Sequence, residues 1–467
     1  MAAEISIPGE LVNHIVSYLL DDKASLRSCS LVAQQWRSFA QPPIFRSITI
    51  EEKTTTKEKN DTKVVQSRKG RKVKGKKDRP IAPAKFDIVK LVSVLTTAGQ
   101  YVRDLEIICG SLDASEMAKV LDTFTDLERL TVKANLVEVS SRDLPTPRSQ
   151  PTSLKELHLR GFTFEMNDWM PKSSSHSKDR RNSPAKCALV QFLSLFGEVD
   201  TITTEDVYPV GGTGAPNGDG AGYSVCRCCH PVYPEDSGQR SAVRAEGIKL
   251  SHRFSVRRLV TAGTNYCKDQ QGQEVVLDLL LASQKSLRAV RELEIDEHPV
   301  ITRELLEATG PQLERLRLSV TFPALQVAHR KNVSQDLYGT SFCGPDLAYA
   351  HICLHHNFAM PDNIDDYWRG YIVAFQDTIK ALPPTVPHLV VEFNCGKLMS
   401  DHFDWHSFDG MLVGRDLVQL ELVFKIRTYE LTKVEHKQFI ISTRRSVPQL
   451  ARKLGGNLKI HVMDRDW

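Results

Sequence analysis

The sequence predicts an α/β chain: a small N-terminal helical unit followed by an irregular array of strand–helix repeats. Three observations predict it. Apolar residues recur at helical spacing within the first fifty positions. A short pattern, apolar-x-x-Leu-x-apolar, then returns six times between Val102 and Leu422. Segments with helical spacing and helix-start signals lie between its copies. Composition permits this plan, because 467 residues at 41% hydrophobic and 25% charged can bury sizeable cores, which excludes wholesale disorder. Ten cysteines are too few for a disulfide scaffold in a chain this long, and most stand singly, as reduced buried thiols do.

Residues 1–50 read as the helical unit. Pro8 suits a first helical position, where its missing N–H costs nothing, and Glu10 favours the positive end of the helix. Leu11, Val12, Ile15, Val16, Leu19 and Leu20 give one wide apolar face. Asp21-Asp22 breaks that face and offers a cap for the next helix. Leu26, Leu31, Val32, Trp36 and Phe39 continue the series until Pro42-Pro43, which should end it. Phe45 to Ile50 then alternates like a strand.

Residues 51–83 are charged, polar and almost free of large apolar side chains, so they read as a disordered basic linker. Between Lys53 and Arg79, twelve Lys/Arg face three acids, a balance of +9, whereas the whole chain carries only +4. The remainder is therefore at −5, and the basic pI belongs to one segment. Residues 84–467 form the repeat region. Two stretches inside it read as long surface insertions: 171–186, rich in Ser, Lys and Arg, and 209–247, rich in Gly and Pro.

The six copies are Val102-Leu105-Ile107, Leu127-Leu130-Val132, Leu154-Leu157-Leu159, Val290-Leu293-Ile295, Leu313-Leu316-Leu318 and Leu417-Leu420-Leu422. The last two residues of each are two apart and share one face of a strand. Starts at 102, 127 and 154 are 25 and 27 residues apart, and those at 290 and 313 are 23 apart. Helices are expected between them. Asp113 and Glu116 can form a capping box ahead of Met117, Val120, Leu121 and Phe124. Ser183-Pro184 opens a second helix with Leu189, Phe192, Leu193 and Phe196 on its apolar face and Gly197 closing it. Val275, Val276, Leu279 and Leu280 mark a third, and Thr302 to Gly310 frames a fourth. The period and strand pattern resemble a leucine-rich-repeat solenoid, in which stacked units bury one another's faces. Only the second unit carries the asparagine of a full repeat, at Asn135.

The first fifty residues resemble an F-box. The matching positions are Ile7-Pro8-Gly9-Glu10-Leu11, Ile15, Leu19, Asp21-Asp22, Leu26-Arg27, Ser30-Leu31-Val32, Trp36-Arg37 and Ile44-Phe45-Arg46. The run from Cys29 to Ile50 is especially similar to fungal F-box proteins. Ile7 stands for the usual leucine, and Ala33-Gln34 for a common Cys-Arg or Cys-Lys. The resemblance implies a three-helix module that binds the Skp-type adaptor of a cullin-RING (SCF) ubiquitin ligase. Adaptor-binding residues would come from Ile7, Pro8, Leu11, Ile15, Leu19, Leu26, Leu31, Val32 and Trp36. The repeats behind the module would hold a protein target whose identity the sequence does not reveal. The alternative is a repeat-based binding scaffold that works without a ligase.

No pattern for catalysis, a cofactor or a metal stands out. Val210-Gly211-Gly212-Thr213-Gly214 lacks the Gly-Lys-Ser/Thr that would hold a phosphate and Mg²⁺. Cys226, Cys228, Cys229 and His230 have soft donors but no partner pair at finger spacing. His351 and His355 lack the glutamate of a zinc protease, and with His356 they read as a polar edge beside buried Ile352 and Leu354. No stretch reaches the ~18 apolar residues of a membrane span. Met1-Ala2-Ala3-Glu4 lacks the features of a secretory leader, so nucleus and/or cytoplasm is expected. The basic cluster Arg68, Lys69, Arg71, Lys72, Lys74, Lys76 and Lys77 reads equally as a nuclear import signal or a plain linker. It has no interleaved aromatics, which argues against single-strand nucleic-acid binding.

Overall fold

A computed structural model describes residues 7–32, 34–52, 87–137, 151–165, 187–210, 239–250, 254–262, 269–296, 301–321, 344–355, 364–394, 403–426 and 432–464. Helices α1 (Gly9–Tyr18), α2 (Lys23–Val32) and α3 (Gln34–Phe45) open the chain. Val12, Val16 and Leu26 are buried together, and Leu19, Trp36, Phe39 and Ile44 pack against them. Pro8 stands one residue ahead of α1, its carbonyl accepting from the Leu11 and Val12 amides at 3.0 and 3.2 Å. Asp22 caps α2: its Oδ1 accepts from the Ala24 and Ser25 amides at 3.1 Å. The acidic break is therefore a helix start.

The expectation that Pro42-Pro43 ends the helices is corrected, since α3 runs on to Phe45. A proline ring holds φ near the helical value, so two prolines near the last turn remove donors without forcing the chain out of the helix. The following strand starts at Ser47 instead of Phe45.

The rest is mixed α/β, built on one large parallel sheet. Its first strands are β1 (Ser47–Glu51), β2 (Asp104–Ile108), β3 (Leu112–Asp113), β4 (Arg129–Lys133), β5 (Asn135–Val137), β6 (Thr152–Glu165) and β7 (Phe196–Val210). It continues through β8 (Ser255–Ala262), β9 (Glu292–Asp296), β10 (Arg315–Thr321), β11 (Tyr349–His355), β12 (His388–Asn394), β13 (Gln419–Ile426) and β14 (Leu458–Asp464). The strands follow one another in chain order, with only the short β3 and β5 off the main path. The sheet is open, with β1 and β14 at its edges.

The register explains the repeated leucines. Leu105, Leu130 and Leu157 stand opposite one another, as do Leu259, Leu293, Leu316, Ala350, Leu389, Leu420 and Leu458 further along. All are buried, and one continuous apolar core runs from Ile50 to Leu458. The last two residues of all six sequence triplets fall within these strands or pack into this core. Alternation then sends the residues between them to the opposite face.

Among the described residues, helices lie in most of the crossovers. The capping box before the helix Ala114–Thr123 forms as its residues predict, with Asp113 Oδ1 accepting from the Glu116 amide at 2.7 Å and Glu116 Oε2 accepting from the Asp113 amide at 3.1 Å. Val275, Val276, Leu279 and Leu280 are buried on the helix Asp269–Ala282, and the fourth expected helix spans Ile301–Thr309. The second expected helix is shorter than its spacing suggests. It covers Ala188–Leu193, and Phe196 and Gly197 belong to β7. Phe196 is captured by pairing with Thr152 of β6, and a Cβ on Gly197 would lie 2.9 Å from Pro151 Cγ.

The insertion expected over 209–247 is also corrected at both ends. Pro209 and Val210 finish β7, and Gln239–Gly247 is a helix. Val243 of that helix is fully buried, and Arg244 pairs with the buried Asp278 at 3.0 Å and with Glu304. Gly247 closes the helix where a Cβ would come within 2.3 Å of the Leu279 carbonyl oxygen. The linker beyond Glu52, residues 171–186, Cys226 to His230 and the basic cluster lie outside the described residues.

Candidate functional site

Two surfaces stand out, one on the helical unit and one on the sheet. On α1, Val12 and Val16 face the unit's small core, whereas Leu11, Ile15 and Tyr18 face away from it at 54%, 43% and 77% exposure. Spacings of four and three place the last three on one stripe of the helix, and Ile7, four residues before Leu11, is exposed as well. Leu31 and Val32, at the end of α2, are 80% and 72% exposed. Burying a leucine- or isoleucine-sized side chain is worth about 1.5–3 kcal/mol, so this unit leaves a large driving force unused. Exposure of that kind makes the unit a candidate interaction surface.

The expected adaptor-binding residues therefore divide. Ile7, Pro8, Leu11, Ile15, Leu31 and Val32 are exposed, Leu26 is wholly buried, and Leu19 and Trp36 are half-buried against the core. Helical spacing could not separate these groups, because Leu11 and Val12 sit side by side on a face broad enough to include both.

The outer face of the sheet has the opposite chemistry. Cross-strand neighbours there carry charge: Asp104 beside Arg129, Arg258 beside Glu292 beside Arg315, and Glu294 beside Arg317 beside His351. Most are paired. Arg129 grips Asp104 with two hydrogen bonds of 2.7 and 2.8 Å. Arg258 lies 3.6 Å from Glu292 and 3.4 Å from Glu294, and Arg317 also pairs with Glu294.

Glu392 of β12 is the centre of this network. It is buried, with His351 Nε2 at 3.0 Å, Lys425 Nζ at 2.8 Å and Cys353 Sγ at 3.4 Å. Burial by itself would raise its pKa, but the hydrogen bonds from His351 and Lys425 outweigh that and hold the carboxyl at about 2. Burial, followed by the Glu392 charge, pushes the Cys353 thiol well above its ordinary value, so it is no nucleophile at neutral pH.

Arg315 is handled differently. Its guanidinium carbon lies 4.5 Å from the centroid of the Tyr349 ring, and among the described residues no carboxylate pairs with it. Arg258, Glu292, Glu294, Arg315, Arg317, Tyr349 and His351 line a groove of about 340 Å³ at this point. Apart from His351, the sequence patterning did not single these residues out; the available signal was the charged residues on either side of Leu293 and Leu316.

His351 and His355 lie on β11, not on a helix, and Ile352 and Leu354 beside them are fully buried. The polar-edge reading fits His351, whose ring meets Glu392. Among the described residues no three His, Cys, Asp or Glu side chains are grouped to hold a metal. Among them also, no helix is long and apolar enough to cross a membrane. No protein-family model matches the chain, and no curated protein matches it either.

Proposed function

We propose that this chain is the substrate-recognition subunit of an SCF (cullin-RING) ubiquitin ligase. The helical unit acts as its F-box and takes the Skp-type adaptor, while the leucine-rich-repeat-like sheet array takes a target protein. The observation that carries this reading is the split on α1. Leu11 and Ile15, both at F-box positions, are exposed on a unit whose fold already uses Val12 and Val16. The parallel strands in chain order, with a continuous core beneath a polar face, support a repeat array that is stable on its own and free to bind. In this role the chain breaks no bond itself. It raises the effective concentration of one target beside a ubiquitin-charged partner.

The test is capture of purified adaptor by the full chain. The wild type should bind, and Leu11→Ala with Ile15→Ala should weaken binding at least thirtyfold, the effect of losing about 2 kcal/mol at an interface. Because both residues are exposed, the double variant should keep the wild-type unfolding curve. A wild-type chain that does not bind the adaptor overturns the ligase reading and leaves a target-binding scaffold.

A further inference from the structure

The groove over β8 to β11 has a charge pattern that specifies a ligand. Three guanidiniums, of Arg258, Arg315 and Arg317, share its lining with two carboxylates, of Glu292 and Glu294, leaving one positive charge. The pairs already described consume Arg258, Arg317 and both glutamates. His351 is engaged by Glu392, whose charge Lys425 balances. Arg315 remains, stacked on Tyr349. The Tyr349 ring holds the guanidinium in place, and among the described residues no carboxylate engages its N–H groups, which can donate to a planar acceptor.

We propose that this groove docks an extended segment of a target protein and that Arg315 receives one aspartate or glutamate side chain of that segment. A single carboxylate matches the single uncompensated charge and the fork geometry of a guanidinium. A phosphate dianion would carry one charge too many beside Glu292 and Glu294. Four strands at about 4.8 Å spacing make the groove about 14 Å wide, which fits about four extended residues. The inference deepens the target-binding half of the proposed function and rests on it only in taking the partner to be a protein.

The test is selection of a displayed library of random decapeptides, each flanked by carrier sequence, on the full chain without adaptor. Selected peptides should share an aspartate or glutamate at one fixed position. In synthetic, end-blocked copies, changing that acid to its amide should weaken binding about tenfold, and Arg315→Gln should weaken the acidic peptide equally. Arg452→Gln, on the helical side of the sheet, should change nothing. Selection of no peptides, no acidic position, or an acidic preference that survives Arg315→Gln overturns the proposal. So does tighter binding of a phosphoserine copy, or binding that needs a free C-terminal carboxylate. A chain that selects acidic peptides but ignores the adaptor keeps this site and loses the ligase reading. One that binds adaptor and selects no peptide does the reverse.

Discussion

In the sheet array, inward and outward residues alternate, and the inward ones join one continuous buried core from Ile50 to Leu458. The outward ones meet opposite charges on the next strand, as Asp104 meets Arg129 and Arg258 meets Glu292. Among the described residues, the N-terminal unit has a small core of Val12, Val16 and Leu26, with Leu19, Trp36, Phe39 and Ile44 packed against it, and it presents Leu11, Ile15, Tyr18, Leu31 and Val32 to solvent. Both regions use apolar residues at regular spacing, yet the patterned leucines of the array are all covered, whereas the stripe on α1 is not. On the unit, apolar side chains stay in solvent, which is the basis for proposing that another chain completes it. On the array, the outer charges are largely neutralised, which is the basis for proposing that it recognises through the few left uncompensated.

That difference can be broken most forcefully from the core. Phe393 stacks on Phe424 with centroids 4.9 Å apart and also meets Phe375, Phe403 and Trp405. Phe393→Ala should cost the array about 3–5 kcal/mol. Leu26→Ala removes one of three core residues and should melt the N-terminal unit alone. Hydrogen–deuterium exchange read by segment separates the two outcomes: lost protection in 388–426 for the first, and in 9–45 for the second. If Leu26→Ala also loosened the array, the two regions would be one cooperative unit and the contrast would fail.

The polar network of the array should show a smaller, pH-dependent effect. The folded carboxyl of Glu392 sits at about 2, below an ordinary 4.5. A depressed carboxyl stabilises the fold fully above its unfolded value, and that contribution is lost as pH falls from about 4.5 toward 2. The shift corresponds to roughly 3 kcal/mol. Glu392→Gln should therefore lower stability by about that amount at pH 7, with the gap to wild type narrowing below pH 4.5. Urea unfolding at pH 7, 4.5 and 3 measures it, and a gap independent of pH would remove Glu392 from the network's centre.

The array was legible because its strands are repetitive. Six Leu-centred triplets lie in the core, and Val386-Leu389-Val391 carries the same pattern outside those six. Other strands lose the signature to one residue: Ala350 replaces the central leucine in β11, and Thr261 replaces the final apolar residue in β8. Neighbouring strands fix their register instead, and one strand's composition cannot report that. The helix at Gln239–Gly247 was hidden by polar composition, since among its described side chains Val243 joins the apolar core and Arg244 finds its partners in Asp278 and Glu304. The outer-face network was hidden for the same reason. Glu392 meets partners from β11 and β13, and only the folded sheet brings them together. Resemblance named the residues of the N-terminal unit, but only burial divides them into core and surface.

That division yields the smallest expected effect and the sharpest form of the comparison. Leu11 and Ile15 are exposed, at 54% and 43%, apart from the core that Val12 and Val16 help form. Truncating exposed side chains away from special features changes stability within about 0.5 kcal/mol. Leu11→Ala with Ile15→Ala should therefore leave the unfolding of the isolated chain unchanged within that limit. Val12→Ala with Val16→Ala removes four buried methyl groups, and a unit with so small a core should not survive it. The two pairs have similar hydrophobicity and lie one position apart on the same helix, so helix propensity does not explain a difference. Thermal unfolding of the N-terminal unit, followed by exchange protection in 9–45, compares them directly. Equal destabilisation by the two pairs would mean that Leu11 and Ile15 serve the fold, and the stripe on α1 would lose its claim to be a surface kept for a partner.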